Sequence, residues 1–279
     1  MNVQIQCRDI VDSTNLWAKE AAMQGAPEGT LLVADQQSAG RGRRGRSWSS
    51  PPGESIYMSL ILRPVIRPEQ ASMLTLVMGL SVVQAVRELF GLDAWIKWPN
   101  DMVINGKKVC GILTEMSVSA EGIQHVIIGT GINVNGTVFE NEIAKTATSL
   151  LLENAVFNRC NSLDENTDSV GKVKTQGSDS VNQTEKLDRK QIIDAVMDAF
   201  SRNYAKFLET GDLQKLVQEY NDILINRGKE IRVLDPAGEY NGISGGINAQ
   251  GELLVTKEDG TCVSVYAGEV SVRGVYGYV

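Results

Sequence analysis

A short segment rich in arginine and glycine has the clearest potential for chemistry in this sequence. Residues 40–46 read GRGRRGR, in a chain whose formal net charge is -7. Glycine lets backbone N–H groups approach an anion closely, and arginine forms bidentate hydrogen bonds to phosphate or carboxylate. A solvated basic loop or an RNA-binding tail could have the same composition. Predicted strands on both sides and the following Trp48 favour an ordered loop over an anion-binding pocket.

A second polar cluster lies at residues 97–101, which read KWPND. Asp101 offers a hard oxygen ligand for Mg²⁺, and Asn100 offers the paired donor and acceptor that an adenine edge requires. A structural turn could use the same residues. Lys108 begins the strand paired with the one that leaves Asp101, so we expect its ammonium in the same pocket. Lys107 should point to the opposite face, because side chains alternate along a strand.

Composition excludes several classes of protein. The 27 basic and 34 acidic residues argue against a phosphate-tracking surface, so no nucleic-acid partner is expected. The only histidine, His125, lies in an alternating apolar run, which argues against catalytic triads and histidine metal sites. The cysteines have no C-x-x-C or zinc spacing, which predicts reduced thiols in a cytoplasmic protein; they are Cys7, Cys110, Cys160 and Cys262.

Targeting and membrane segments are not expected either. The first residues carry no basic region followed by an apolar run, so no secretory signal is predicted. The longest apolar stretch, residues 73–86, is interrupted by polar residues and falls short of the roughly 20 residues that a membrane span needs. We interpret it as a buried helix.

The elements that must position these residues follow from periodicity and turn signals. Asn105-Gly106 predicts a type I′ hairpin between strands at 101–104 and 107–116. Other patterns predict helices at 14–24 and 69–90 and strands at 30–34, 55–62 and 124–134.

The second half of the chain predicts a change of architecture. Residues 153–190 are polar, which predicts an exposed, disordered insertion. Helical spacing returns at 192–208 and 213–224. Beyond Gly228, short alternating strands in the segments 229–235, 252–258 and 262–274 predict a small β-barrel. We therefore predict a catalytic domain at 1–226 and a second domain at 227–279.

Several of these segments together resemble the biotin protein ligases in identity and order. They are Asp12-Ser13-Thr14-Asn15, Gln36-Gln37 before GRGRRGR, KWPND, GKKVCGIL and GTGINV. The resemblance is close over residues 10–135 and looser beyond. It implies an α+β fold with a mixed sheet like that of class II aminoacyl-tRNA synthetases, followed by an SH3-like barrel.

The resemblance also implies an activity and a role for each matching residue. The activity is formation of biotinyl-5′-AMP from biotin and ATP with Mg²⁺, then transfer of biotin to a lysine of a biotin carboxyl carrier domain. Arg43 and Lys108 match catalytic residues. Biotin contacts match Ser13, Thr14, Asn15, Gln37, Arg41, Gly42, Arg43 and Lys108. Nucleotide contacts match Arg43, Arg46, Trp48, Asn100 and Asn133, and Asp101 matches a residue near Mg²⁺.

Two other functions stay open at this point. A lipoate or octanoate ligase shares the lysine-acceptor chemistry, but we would not expect it to combine GRGRRGR with KWPND. A non-catalytic biotin-binding regulator would have lost Arg43, Lys108 or Asp101, and all three are present. Because the matched segment begins near Met1, we expect a ligase without a DNA-reading domain. Monomer and homodimer remain alternatives.

Overall fold

The computed structural model describes residues 1–139, 142–165, 185–235, 238–267, 271–274 and 278–279. Within them, seven strands form the larger sheet in the order β1-β2-β3-β7-β6-β5-β4. Strands β1 and β2 are parallel and the other neighbours are antiparallel, which confirms the predicted mixed sheet. The strands are β1 (Gln4–Val11), β2 (Thr30–Gln37), β3 (Ser55–Leu62), β4 (Ala94–Lys97), β5 (Asp101–Ile104), β6 (Lys107–Ser119) and β7 (Gly122–Asn133).

Helices cover both faces of this sheet, which explains why β3 is buried along its whole length. On one face, α1 (Thr14–Met23) packs Trp17 and Ala18 against Leu32 and Ile61. On the other face, α2 (Met73–Phe90) lies between the sheet and α5 (Arg189–Thr210). The sheet is therefore the middle layer of the domain.

Helix α2 confirms the predicted buried helix and ends at Gly91, whose φ of 66° is left-handed. By length and composition alone, the segment Pro68–Phe90 could cross a membrane. Its apolar character has another explanation here, because residues such as Leu74, Val77 and Val82 are fully buried against the sheet and α5. A helix enclosed on most sides needs apolar residues around most of its circumference.

The predicted hairpin is also present and brings the two charged clusters of the sequence together. Asn105 and Gly106 have φ angles of 49° and 74°, as a type I′ turn requires. Strands β5 and β6 are paired across this turn. As a result Lys108 lies beside Asp101.

A second, all-antiparallel sheet follows, with the strand order β11-β10-β9-β8-β12. Its strands are β8 (Glu230–Leu234), β9 (Tyr240–Ile247), β10 (Leu253–Thr256), β11 (Cys262–Val265) and β12 (Ser271–Gly274). It is the predicted C-terminal barrel-like unit. The buried Trp98 indole Nε1 donates to the Gly251 carbonyl oxygen at 3.1 Å, so the KWPND segment anchors the two sheets to each other.

The prediction of disorder over 153–190 is wrong for residues 153–165 and 189–190, which are helical. Residues up to 165 belong to α4 (Leu150–Glu165), α5 already begins at Arg189, and residues 166–184 lie outside the described part. Helix α4 escapes sequence patterning because, among residues 150–159, only Leu150 and Leu151 are buried. The two short helices are α3 (Ile143–Thr146) and α6 (Val217–Asp222), the latter shorter than predicted.

The core of α5 gives a stability test. Phe200 is fully buried and stacks on Tyr204 with ring centroids 5.5 Å apart, whereas Leu208 on the same helix is 45% exposed. We expect Phe200→Ala to lower the free energy of unfolding by about 3–5 kcal/mol, since it leaves a cavity. Leu208→Ala, the matched control, should change it by less than about 1 kcal/mol. Urea denaturation measures both, and equal losses would contradict this packing.

Candidate active site

One cavity collects most of the predicted site residues, on the face of the sheet that carries α1. It encloses about 470 Å³ of empty space, part of it open to solvent. Its walls come from the start of α1, the end of β2, the arginine-glycine loop and the middle of β6 and β7. Ten predicted residues line it: Ser13, Thr14, Asn15, Gln37, Arg41, Gly42, Arg43, Trp48, Asn100 and Lys108.

One end of the cavity is a set of buried hydroxyl and amide groups. The Gln37 side-chain oxygen accepts hydrogen bonds from the Thr14 backbone N–H at 2.9 Å and from its hydroxyl at 3.2 Å. The Ser59 hydroxyl donates to Asn15 Oδ1 at 2.7 Å, and Asn15 Nδ2 donates to Glu115 at 2.7 Å. Such a fixed array of short donors and acceptors suits a compact polar ligand group.

Glycines on β6 and β7 make the floor of the cavity. Gly111 and Gly131 are opposite each other, and a Cβ on either one would lie 2.9 Å from the Trp48 ring. A Cβ on Gly129 would overlap the Asn15 side-chain amide. Only glycine therefore lets Trp48 and Asn15 lie flat against the sheet.

Trp48 itself presents an unused donor. Its indole Nε1 is buried and has no hydrogen-bond partner among the described residues. Buried polar atoms are nearly always paired in folded proteins, and an exception in a cavity wall is typical of a group that meets a ligand. Together with the aromatic ring, it gives the middle of the cavity a surface for a flat ligand with an acceptor at its edge.

The arginine-glycine loop covers the other end and is held in place by both domains. The loop folds back on itself through a bridge between Arg41 and Ser47. Arg43 donates to Asn100 Oδ1 at 2.8 Å and to the Ala267 carbonyl oxygen, in the second domain, at 2.9 Å. Burial is the main cause that lowers the pKa of the Arg43 guanidinium. Arg41 Nη1 lies 3.4 Å from Glu115 Oε1, which forms an ion pair.

The cationic end of the cavity is organised around the carboxylate of Asp101, whose side chain is 12% exposed. Asp101 Oδ1 lies 2.6 Å from Lys108 Nζ, and Asp101 Oδ2 accepts a hydrogen bond from the Tyr278 hydroxyl. Burial alone would raise the pKa of Asp101, but Lys108 and Lys97 outweigh it and keep that pKa below its usual value. Burial lowers the pKa of Lys97 to about 8. Lys108 Nζ also lies 5.1 Å from the Trp48 ring centroid.

Sequence comparisons identify the family to which this geometry belongs. Residues 8–133 match the model of the Biotin/lipoate A/B protein ligase family, and residues 228–273 match the Biotin protein ligase C terminal domain. A Biotin--[acetyl-CoA-carboxylase] ligase of Paracoccus denitrificans is 31% identical over 265 residues, which are 94% of this chain and 98% of that protein. This chain belongs to the biotin protein ligase family.

Two further relatives extend the match over both domains. The Bifunctional ligase/repressor BirA of Bacillus subtilis (strain 168) is 36% identical over 267 residues, which cover 95% of this chain and 72% of that protein. A solved Biotin protein ligase from Aquifex aeolicus, in complex with biotin and ATP, is 30% identical with a TM-score of 0.77. That match covers 97% of this chain and 99% of the Aquifex chain. The fold is thus that of the biotin protein ligases.

Asp101 as placed does not make a ready site for Mg²⁺. Lys108 occupies one carboxylate oxygen and Tyr278 the other, and an ammonium at 2.6 Å repels a divalent cation. Within the described ranges, no three His, Cys, Asp or Glu residues lie close enough to hold a metal ion. The assignment of Asp101 to Mg²⁺ stays a prediction.

Two other predicted residues lie outside the cavity wall. Asn133, at the end of β7, donates through Nδ2 to the Thr148 carbonyl oxygen at 3.0 Å. Arg46 lies between Arg43 and Trp48 in the chain, but unlike them it does not line the cavity. Conversely, sequence reasoning missed Tyr57, which lines the cavity, and Ser59, whose hydroxyl holds Thr14 and Asn15. Polar residues inside an otherwise apolar strand were the available signal for Ser59.

The ion pair at the cationic end predicts a pH dependence of stability. Asp101 has a lowered pKa in the folded state, so its contribution is present above the unfolded value of about 3.9 and is lost as the pH falls through the folded value. We expect Asp101→Asn to lower the free energy of unfolding at pH 7 by about 2 kcal/mol, less than a fully buried pair would lose.

The difference between the two proteins should shrink as the pH falls below about 4, because the carboxylate takes up a proton first in the unfolded state and then in the folded state. Denaturation curves at several pH values measure it. A difference that stays constant over this interval would show that the Asp101 charge does not contribute. Asp198→Asn, at an exposed carboxylate on α5, is the matched control and should be nearly silent at every pH.

Proposed function

We propose that this protein is an ATP-dependent biotin protein ligase. The carboxylate oxygen of biotin attacks the α-phosphorus of ATP, which forms biotinyl-5′-AMP and releases pyrophosphate. The ε-amino group of one lysine in a biotin carboxyl carrier domain of a carboxylase then attacks the acyl carbon and releases AMP. The observation that carries the proposal is a single cavity with buried amides and hydroxyls at one end and Arg43 and Lys108 at the other.

The polar end is proposed to hold the ureido ring of biotin. That ring carries two N–H donors and one carbonyl acceptor, and it needs several short partners within an otherwise apolar wall. The Thr14 hydroxyl, the Asn15 amide and the Gln37 amide supply both kinds of group. Ser13, next to them, is also buried in the cavity wall.

The cationic end is proposed to stabilise the first reaction step. Bringing a carboxylate onto a phosphate joins two anions, and negative charge accumulates in the transition state. Arg43 and Lys108 both line the cavity at this end and can neutralise it, with Arg41 and Gly42 closing the loop above. Removing one such group typically costs about 3–4 kcal/mol in the barrier, or about 10²–10³ in rate.

The nucleotide is proposed to lie against Trp48. Its ring offers a stacking surface and its unpaired Nε1 a donor. Asn100 has both its amide groups engaged, by Arg43 on one side and by Asp101 and the Ile112 carbonyl on the other. We therefore propose that Asn100 holds the loop beside the nucleotide. Arg46 and Asn133 are proposed to contact nucleotide parts that extend beyond the cavity.

Magnesium is proposed to enter as the companion of ATP. Mg²⁺ keeps several waters and is commonly held by phosphate oxygens together with one or two carboxylates. A reducing, cytosolic compartment is proposed because Cys7 and Cys262 are exposed free thiols. The acidic net charge of -7 argues against nucleic acid as a further partner.

Incubation of the pure protein with biotin, MgATP and a carrier domain tests the function. Mass spectrometry should find one biotinyl group on a single lysine of the carrier and pyrophosphate in the solution. A parallel incubation with lipoate distinguishes the related activity of the family. Modification of the carrier by lipoate but not by biotin would refute the proposal. A failure to form an adenylate with either acid would refute it as well.

The loop gives a second prediction. Arg43→Ala should keep the fold but release biotinyl-5′-AMP into solvent at least about tenfold faster, because charge-assisted hydrogen bonds to the phosphate are lost. Rapid filtration after single-turnover adenylation measures this rate. Arg44→Gln is the matched control, since Arg44 is an exposed neighbour that does not line the cavity. Unchanged release from Arg43→Ala would contradict the role of the loop.

A further inference from the structure

The last residues of the chain lie at the cationic end of the cavity. The Tyr278 hydroxyl donates to Asp101 Oδ2, although 177 positions separate the two residues. The Tyr278 ring lies 4.3 Å from the Nζ of buried Lys97. Val279 packs so closely on Gly106 that a Cβ there would lie 3.2 Å from it. The C-terminal residues thus rest on the hairpin that carries Asp101.

Lys108 has two competing partners, the Asp101 carboxylate that Tyr278 also contacts and any anion bound in the cavity. Lys108 Nζ is 2.6 Å from Asp101 Oδ1, yet the same side chain lines the cavity. To neutralise the reacting anions, the ammonium has to move partly or fully from Asp101 to them. A buried carboxylate that loses its cation without other donors is strongly destabilised, so this movement is costly unless other groups remain on Asp101.

The donors that remain can be named from the structure. The Tyr278 hydroxyl stays on Oδ2 when Lys108 leaves, and Asn100 Nδ2 lies 3.1 Å from Oδ1. The ammonium of Lys97, held over the Tyr278 ring, adds positive charge nearby. Of these, the hydroxyl is the one supplied by the second domain. It links the position of that domain to the freedom of Lys108.

We propose that Tyr278 is a positioning residue of the ligase reaction: its hydroxyl holds the Asp101 carboxylate while Lys108 turns to the reacting carboxylate and phosphate. This inference rests on the proposed function. Without the hydroxyl, Lys108 is the main strong partner of Asp101, so the ammonium is held back from the substrates. The chemical step becomes slower, whereas biotin, held at the other end of the cavity, still binds.

Tyr278→Phe tests the inference because it removes the hydroxyl and keeps the ring over Lys97. We expect kcat of adenylate formation, followed by pyrophosphate release, to fall about tenfold, as for loss of a hydrogen bond to a charged group. KM for biotin should change less than about twofold. Tyr240→Phe is the matched control, since Lys257 Nζ lies 4.4 Å from the Tyr240 ring in the same domain, away from the cavity.

A second background separates positioning from a general structural effect. In Asp101→Asn the carboxylate is gone, so adding Tyr278→Phe should change kcat no further, whereas damage to domain packing would persist. Equal kcat values for Tyr278→Phe and Tyr240→Phe would overturn the role of Tyr278 and leave the proposed function intact. An undiminished loss of kcat in the Asp101→Asn background would do the same. A wild-type protein that forms no adenylate would overturn the proposed function and this inference with it.

Discussion

The ion pair between Lys108 and Asp101 is the interaction around which the candidate site is organised. It joins the two strands of a hairpin at 2.6 Å and places an ammonium in the wall of the cavity. The surrounding groups depend on it, since Asn100 links the same carboxylate to Arg43 of the loop and Tyr278 links it to the second domain. Three distant parts of the chain therefore meet at one largely enclosed charge.

A steric constraint complements this electrostatic one. The glycines at 111, 129 and 131 leave space for the Trp48 ring and the Asn15 amide directly on the sheet. Larger residues there would push these groups into the space that a ligand needs. The cavity thus owes its polar end and its cationic end to charged and amide side chains, and its depth to residues that have no side chain.

Local signals in the sequence predicted much of this arrangement. Asn105-Gly106 defines the hairpin because its positive φ angles leave few alternatives, and strand alternation then places Lys108 on the side of Asp101. The arginine-glycine loop stands out by composition in an acidic chain. Ten of the predicted residues consequently line the observed cavity.

The contacts that escaped prediction depend on tertiary structure. Tyr278 and Ala267 reach Asp101 and Arg43 only because the second domain packs against the first, and no local pattern records that packing. The sequence of helix α4 predicts a disordered segment because residues 152–159 are at most half-buried, so their composition resembles that of a solvated chain. Periodicity detects a helix only where one face is buried.

A crystal structure with biotinyl-5′-AMP tests the central claim most directly, namely that one cavity holds a polar ring at one end and joins two anions at the other. We expect the ureido ring within hydrogen-bond distance of Thr14 and Gln37, and the phosphate within reach of Arg43 and Lys108. A ligand bound elsewhere, or bound with its phosphate at the amide end, would contradict this account.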